Sequence, residues 1–358
     1  MNYFSLPMPY DTGLIDKLCD INQGIEKSRI VSMYNGLSTR IGAMGTLSQE
    51  RISNDELRSV EAIFPYIEKV HERGLDFVFL LNGVKIPTDA EFERIKPVLY
   101  KSVSALMSVG VKDFRVANTL MAQFLSDEFP GIRLRASTCF EFQSVRQYHH
   151  LFESYPAFVE VVPSFEQNHN FEMLKSIRKL DPDIIVELMA NEGCIAGCPF
   201  RGSHNMLLVT GEVPSGIYHS YCKKNCQNIY GKDFWTEVFR SNVIYPWQIG
   251  YYQSQGFDHF KLVGRNMTEF KTGEYVRYYE AYLMGVEDVK NILDKPFFIF
   301  SNYFVGAKAL HFIKVRDVID YLPRIEYFKK YGQYCPTDCM TRCNYCKCRA
   351  EAFENRNG

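Results

Sequence analysis

DFVFLLNGVKIPTDAEFERIKPVLYKSVSALMSVGVKDFRVANT, residues 76–119, holds one complete repeat of the fold. It opens on a short apolar run, 76–81, rich in aromatic and branched side chains, as a buried strand requires. Asn82-Gly83 then turns the chain. Segment 88–109 carries apolar residues at helical spacing, and 113–117 (DFRVA) reads as the next strand. Outward from this stretch the same alternation recurs. Further strands are expected at 29–34 (RIVSMY), 133–138 (RLRAST), 158–162 (FVEVV), 184–190 (IIVELMA), 242–245 (NVIY) and 259–264 (HFKLVG). Helix-period segments at 54–73, 143–153, 168–180 and 246–256 lie between them, the first capped by Asn54 ahead of Asp55 and Glu56. Eight strands alternating with helices specify an α/β protein, a TIM-like (β/α)8 barrel. The expected organisation is an N-terminal segment 1–28, a barrel 29–290 with a Cys-containing insertion at 191–240, and a short Cys-rich extension 291–358.

The net charge of −1 gives no global attraction to nucleic acid, and 46% hydrophobic residues suffice for a large core. The start, MNYFSLPMPYDTG, lacks the basic and apolar regions of a signal peptide. No apolar run approaches the roughly 18 residues of a membrane span. Eleven cysteines, an odd number, without a secretion signal predict reduced thiols and a cytoplasmic protein.

Several expected strands end on a polar residue and a turn: Asn35-Gly36, Asn82-Gly83, Asn118-Thr119, Thr138-Cys139, Asn191-Glu192 and Arg265-Asn266. Asn-Gly alone makes a turn. Recurrence at several strand ends predicts a functional face, because these ends converge where barrel enzymes place their sites.

Eight cysteines fall into two groups of four: Cys194, Cys198, Cys222, Cys226, and Cys335, Cys339, Cys343, Cys346 with Cys348 as a spare. Four clustered thiols suit zinc or an iron–sulfur cluster. The CxxxC spacing of the first group leans toward a cluster, zinc knuckles commonly using CxxC. The strand at 184–190 runs into Cys194 and places that pair at the barrel mouth, with Gly193 and Gly197 for tight turning.

ELMANEGCIAGCPFRGSHN (187–205) resembles the signature of peptidase family U-thirty-two, the collagenase-like peptidases. LLNGVKI (80–86), FRVANTL (114–120), RASTCFE (135–141), FKLVGRNMT (260–268) and CNYCKCRAEAF (343–353) add to the likeness, which spans about 25–350. The resemblance implies a (β/α)8 fold and a [4Fe–4S] cluster held by Cys194, Cys198, Cys222 and Cys226. It further implies oxygen-independent hydroxylation of ubiquinone precursors, tRNA or rRNA, with prephenate as oxygen donor. Some such enzymes work as pairs, so a paralogous partner is a further expectation.

Around the first group, Arg201 could grip a carboxylate in a bidentate fork. His204 could move protons near neutral pH, Glu192 could act as a base, and Asn191 could orient a substrate oxygen. Arg265, at the end of the last strand, could bind an anion. The bland readings are a salt bridge for Arg201, a structural histidine for His204 and a rim ion pair for Arg265. Cys139 and Cys19 read as buried thiols.

The second group contains CxxxCxxC at Cys339, Cys343 and Cys346, the spacing of a radical S-adenosylmethionine motif, but too little chain follows it for a barrel. A second iron–sulfur or zinc site is the better reading. The function expected is an oxygen-independent hydroxylase of an aromatic small molecule or an RNA nucleoside. The alternatives are a peptidase, though HExxH and GxSxG are absent and Ser203 merely adjoins His204, and a non-catalytic metal-binding subunit of a heterodimer.

Overall fold

A computed structural model describes residues 1–36, 60–210, 233–264, 272–296, 313–322 and 343–357. Eight parallel strands close into a barrel in chain order: β1 (Asn2–Pro7), β2 (Ser28–Asn35), β3 (Asp76–Leu81), β4 (Asp113–Val116), β5 (Arg133–Ala136), β6 (Phe158–Val161), β7 (Ile185–Met189) and β8 (His259–Lys261). The repeat at 76–119 folds as expected. Its helix, Asp89–Ser108, starts at Thr88, whose hydroxyl and Glu91 cap each other's backbone N–H groups.

Two strands differ from the sequence reading. The barrel begins at Asn2, inside the segment 1–28 that was expected to precede it. Pro7 and Pro9 blur the signal of β1, yet Phe4 and Leu6 are fully buried and Tyr3–Ser5 pair with His259–Lys261 to close the sheet. Cys19 accordingly lies buried on a barrel helix, Thr12–Asp20. Conversely, 242–245 is not a strand. β7 pairs directly with β8 through Glu187↔His259, so no ladder is left for NVIY. The Ile244 N–H instead donates to Ala190 O (2.7 Å), tethering this apolar segment above the end of β7.

The barrel lumen is charged at its middle. Arg115 on β4 reaches across to Glu187 on β7 (2.7 Å) and also pairs with Glu160 on β6. Arg135 on β5 binds Asp113 (2.9 Å) and Glu160. Ser5 links Glu187 to Ser32, and Lys261 lies 4.0 Å from the Tyr34 ring centre. All these residues are buried. Nearer the mouth, Val162, Phe165 and Met189 form an apolar floor with Val263 and Cys194 packed on it.

A second core joins the insertion to the C-terminal extension. Cys346, Ala350 and Phe353 on the terminal helix Tyr345–Asn357 pack with Val238 and Phe239. The Trp235 and Phe353 rings lie 4.4 Å apart. No helix among the described residues is long and apolar enough to cross a membrane.

Gly285, in the helix Thr272–Glu287, marks a close approach. A Cβ there would clash with the Ile292 side chain and lie 2.9 Å from Pro246 Cβ. Alanine gains about 1 kcal/mol of helix propensity over glycine, but overpacking costs about 1–3 kcal/mol. Gly285→Ala should therefore destabilise the fold by a net of about 1 kcal/mol, read as a lower urea midpoint with an unchanged slope of the transition. An unchanged or raised midpoint would show that Ile292 swings clear.

Candidate active site at the barrel mouth

The loop leaving β7 carries the first cysteine pair. Asn191 fixes its start: its amide donates to Val263 O and the Tyr278 hydroxyl (3.0 Å each), and its Oδ1 accepts from Val263 N (2.6 Å). Those bonds tie the ends of β7 and β8 together through the Asn191 side chain. The other strand-end asparagines act likewise. Asn35 donates to Met8 O, and Asn118 caps the helix Thr119–Glu128 and donates to Gly83 O. Asn82 reaches Ser137. Each thus ties its strand end to a segment distant in the chain.

Beyond Asn191 come Glu192 and the half-buried Cys194 and Cys198. Gly197 between them has φ of +70°, a conformation that side chains resist. Its N–H donates to Glu166 Oε1 (2.9 Å), while Glu166 Oε2 accepts from Asn242 (2.8 Å). Glu166, just past β6, thus anchors the cysteine loop.

Arg201 opens the helix Arg201–Thr210 and lays its guanidinium 3.6 Å from the Phe165 ring centre. Glu141 and Glu166 approach it at 3.9 and 3.8 Å, too far for direct hydrogen bonds. The Nε and Nη2 atoms of Arg201 are buried without partners, and so is Glu192 Oε1. The salt bridge read as the bland alternative for Arg201 is therefore present only as loose pairs.

Glu141 was not singled out in the sequence. Among the described residues it alone combines a non-glycine side chain with positive φ (+50°). Its Oε2 accepts from the Ser164 hydroxyl (2.7 Å). Backbone strain of this kind gathers at functional sites.

Electrostatics follow from burial. Burial pushes the Glu192 carboxyl up despite Arg201 nearby, and does the same to Glu141. Burial also pushes the Cys194 thiol well up, with Glu192 adding to it and Cys198 near enough to contribute. For Arg201 burial disfavours the charge, but Cys194, Glu141, Glu192 and Glu166 outweigh it and hold the guanidinium ionised.

The structure brings Glu192, Cys194, Cys198 and Arg201 together. Cys222, Cys226, Cys335, Cys339, Arg265 and the His204 side chain lie outside what is described. Of the second group, Cys346 is buried in the second core, Cys343 is half-buried and Cys348 exposed. Cys139 is half-buried in the short turn Thr138–Phe140 after β5. Among the described residues no three His, Cys, Asp or Glu side chains converge as a metal site. Cys194 and Cys198 provide two soft donors on one loop, the chemistry a cluster or zinc requires.

No protein-family model and no curated protein matches the sequence. Among solved structures, a U32 (U-thirty-two) peptidase is similar with a TM-score of 0.43 and 13% identity, over 74% of this chain and 93% of that one. A prophage protein of the dihydrodipicolinic acid synthase family from E. coli K12, in complex with pyruvate, gives 0.37 and 11%, over 79% and 88%. A mutant O-GlcNAc hydrolase of Thermobaculum terrenum gives 0.39 and 12%, over 99% and 92%. At such scores these likenesses carry no chemistry, and the barrel rests on its own strand pairing.

Proposed function

We propose that this chain is an iron–sulfur enzyme that hydroxylates an aromatic small molecule or nucleobase without O2, taking oxygen from a carboxylic acid of the prephenate type. Cys194, Cys198, Cys222 and Cys226 would hold the cluster, which when bound supplies electron transfer. The observation that carries the reading is the setting of Cys194 and Cys198. They sit on a loop anchored by Glu166, above the floor of Val162, Phe165 and Met189, beside an arginine with unspent donors. The floor excludes water and suits an aromatic face. Arg201, braced on Phe165, would hold a carboxylate. Glu192, whose carboxyl burial pushes up, would act as a base toward the ligand. Unspent polar groups over an apolar floor also favour catalysis over a metal-bearing scaffold subunit, whose mouth would be filled.

The peptidase reading keeps one support, the name of a structurally similar protein. The sequence offers it neither HExxH nor GxSxG. Cleavage of denatured collagen by cluster-free protein would favour it.

Arg201→Lys keeps the charge but loses the fork. A lost charge-assisted contact costs about 1.5–3 kcal/mol, roughly ten- to a hundredfold in turnover. The variant should retain its cluster absorbance yet hydroxylate ten- to a hundredfold more slowly in an anaerobic assay supplied with prephenate. Unchanged turnover would remove Arg201 from the site, and product formation that needs O2 would overturn the mechanism.

A further inference from the structure

Arg201 and Glu192 lie close together with their polar ends buried, yet neither satisfies the other. The two nitrogens of Arg201 without partners, Nε and Nη2, form one edge of the guanidinium, the side-on fork that grips both oxygens of a carboxylate. Glu192 Oε1 is likewise buried and without a partner. A buried guanidinium edge and a buried carboxylate oxygen are each costly when unmatched. Among the described residues, the surroundings carry one positive side chain, Arg201, and three acidic ones, Glu141, Glu166 and Glu192. A ligand with only negative charge would match the fork but meet this acidic ring. A ligand with only positive charge would leave the fork unmatched. A ligand carrying both charges close together meets both needs and adds no net charge.

We infer that the mouth binds an aminocarboxylate: a free aromatic α-amino acid, or a larger molecule that presents the same pair of groups. Its carboxylate sits on the Nε–Nη2 edge of Arg201, its ammonium donates to Glu192 Oε1, and its ring lies on Val162, Phe165 and Met189. Glu166 is spent on Gly197 and Asn242, so it fixes the loop without touching the ligand. Glu141, held in place by Ser164 and its left-handed backbone, adds negative potential on the ammonium side. The inference rests on the proposed reading of the mouth as the reaction chamber, and it assigns the carboxylate on Arg201 to the aromatic molecule being hydroxylated and not to the oxygen donor.

Calorimetric titration of anaerobically purified protein tests this with four probes: L-phenylalanine, phenylpyruvate, phenethylamine and prephenate. Phenylpyruvate lacks the amine and phenethylamine the carboxylate. Phenylalanine should bind at least about tenfold tighter than each of the other three, as a charge-assisted hydrogen bond requires. Arg201→Lys should weaken phenylalanine about tenfold or more. Glu192→Gln should bring phenylalanine and phenylpyruvate to similar affinity. Phenylpyruvate or prephenate binding as tightly as phenylalanine to the wild-type protein would overturn the inference, as would no binding by protein that shows its cluster absorbance. Preference for phenylalanine in protein with neither iron nor labile sulfide would uphold the inference while sinking the proposed chemistry.

Discussion

Arg115→Met should destabilise the barrel by about 3–5 kcal/mol, the cost of stripping the partner from a buried ion pair. That is a large share of the roughly 5–15 kcal/mol that holds a domain together. Arg115 joins Glu160 and Glu187 across the lumen, and all three are buried. Methionine replaces much of the volume but none of the charge. Glu160 would keep Arg135, while Glu187 would keep Ser5 and the charge of Lys261. Adding Glu187→Gln should therefore recover part of the loss, because it removes the carboxylate left without its arginine.

The pH dependence gives the sharper test. Burial opposes ionisation of Glu187, but Arg115, Lys261 and the Ser5 hydroxyl together prevail and hold its carboxyl at about 2. An acid held below its unfolded value of about 4.3 stabilises the fold above that value, and the contribution is lost as pH falls toward 2. Glu160 runs the other way, since burial and Glu187 push it up. Without Arg115 both carboxyls rise, so both then oppose folding as pH increases. The stability difference between wild type and Arg115→Met should widen from pH 4 to pH 7, read as urea midpoints across that range. A constant difference would show that the lumen charges are solvated and their pairing contributes little.

This network shows where the sequence was legible and where it was not. Strands such as DFVFLL announce themselves through unbroken aromatic and branched residues, so β3 and its helix could be placed from the chain alone. Glu160 and Glu187 stand singly inside apolar strands, while Arg115, Arg135 and Lys261 alternate with a second polar residue in theirs. Such charges look like solvent-facing positions. Only closure of the barrel turns all five inward, toward partners up to 182 residues apart. The mouth divides similarly. Cys194, Cys198, Glu192 and Arg201 follow one strand end and could be read together. Glu141 and Glu166 leave β5 and β6, and their convergence on Arg201 depends on strand order that no local pattern encodes. The strand-end asparagines hide their partners in the same way, since Asn118 reaches Gly83 and Asn191 reaches Val263, 35 and 72 residues away.

Protein purified without oxygen should be brown and contain iron with acid-labile sulfide, and Cys194→Ala should abolish the first centre's share of both signals. The expectation rests on four points. Cys194 and Cys198 lie on one loop held by Gly197 and Glu166, so two ligands are positioned before any metal arrives. Thiolates are the common ligands of iron–sulfur clusters. Loss of one of four removes a bond that alanine cannot replace, and Glu192, an oxygen donor in the same loop, has its carboxyl pushed up by burial. The barrel itself does not depend on the metal, because its ladder closes through β1 and β8 away from the loop. Cys194→Ala should therefore keep its far-ultraviolet dichroism and near-wild-type thermal unfolding while losing the first centre's colour, iron and sulfide together. Cys343→Ala provides the contrast. Cys343 precedes a terminal helix packed on the second core, so its loss should lower total metal or the stability of that region and leave the first centre's spectrum intact. Stoichiometric zinc without labile sulfide in the anaerobic wild-type protein would replace the cluster with a structural zinc site. Simultaneous loss of both signals in Cys343→Ala would mean that the two cysteine groups build a single centre across the second core.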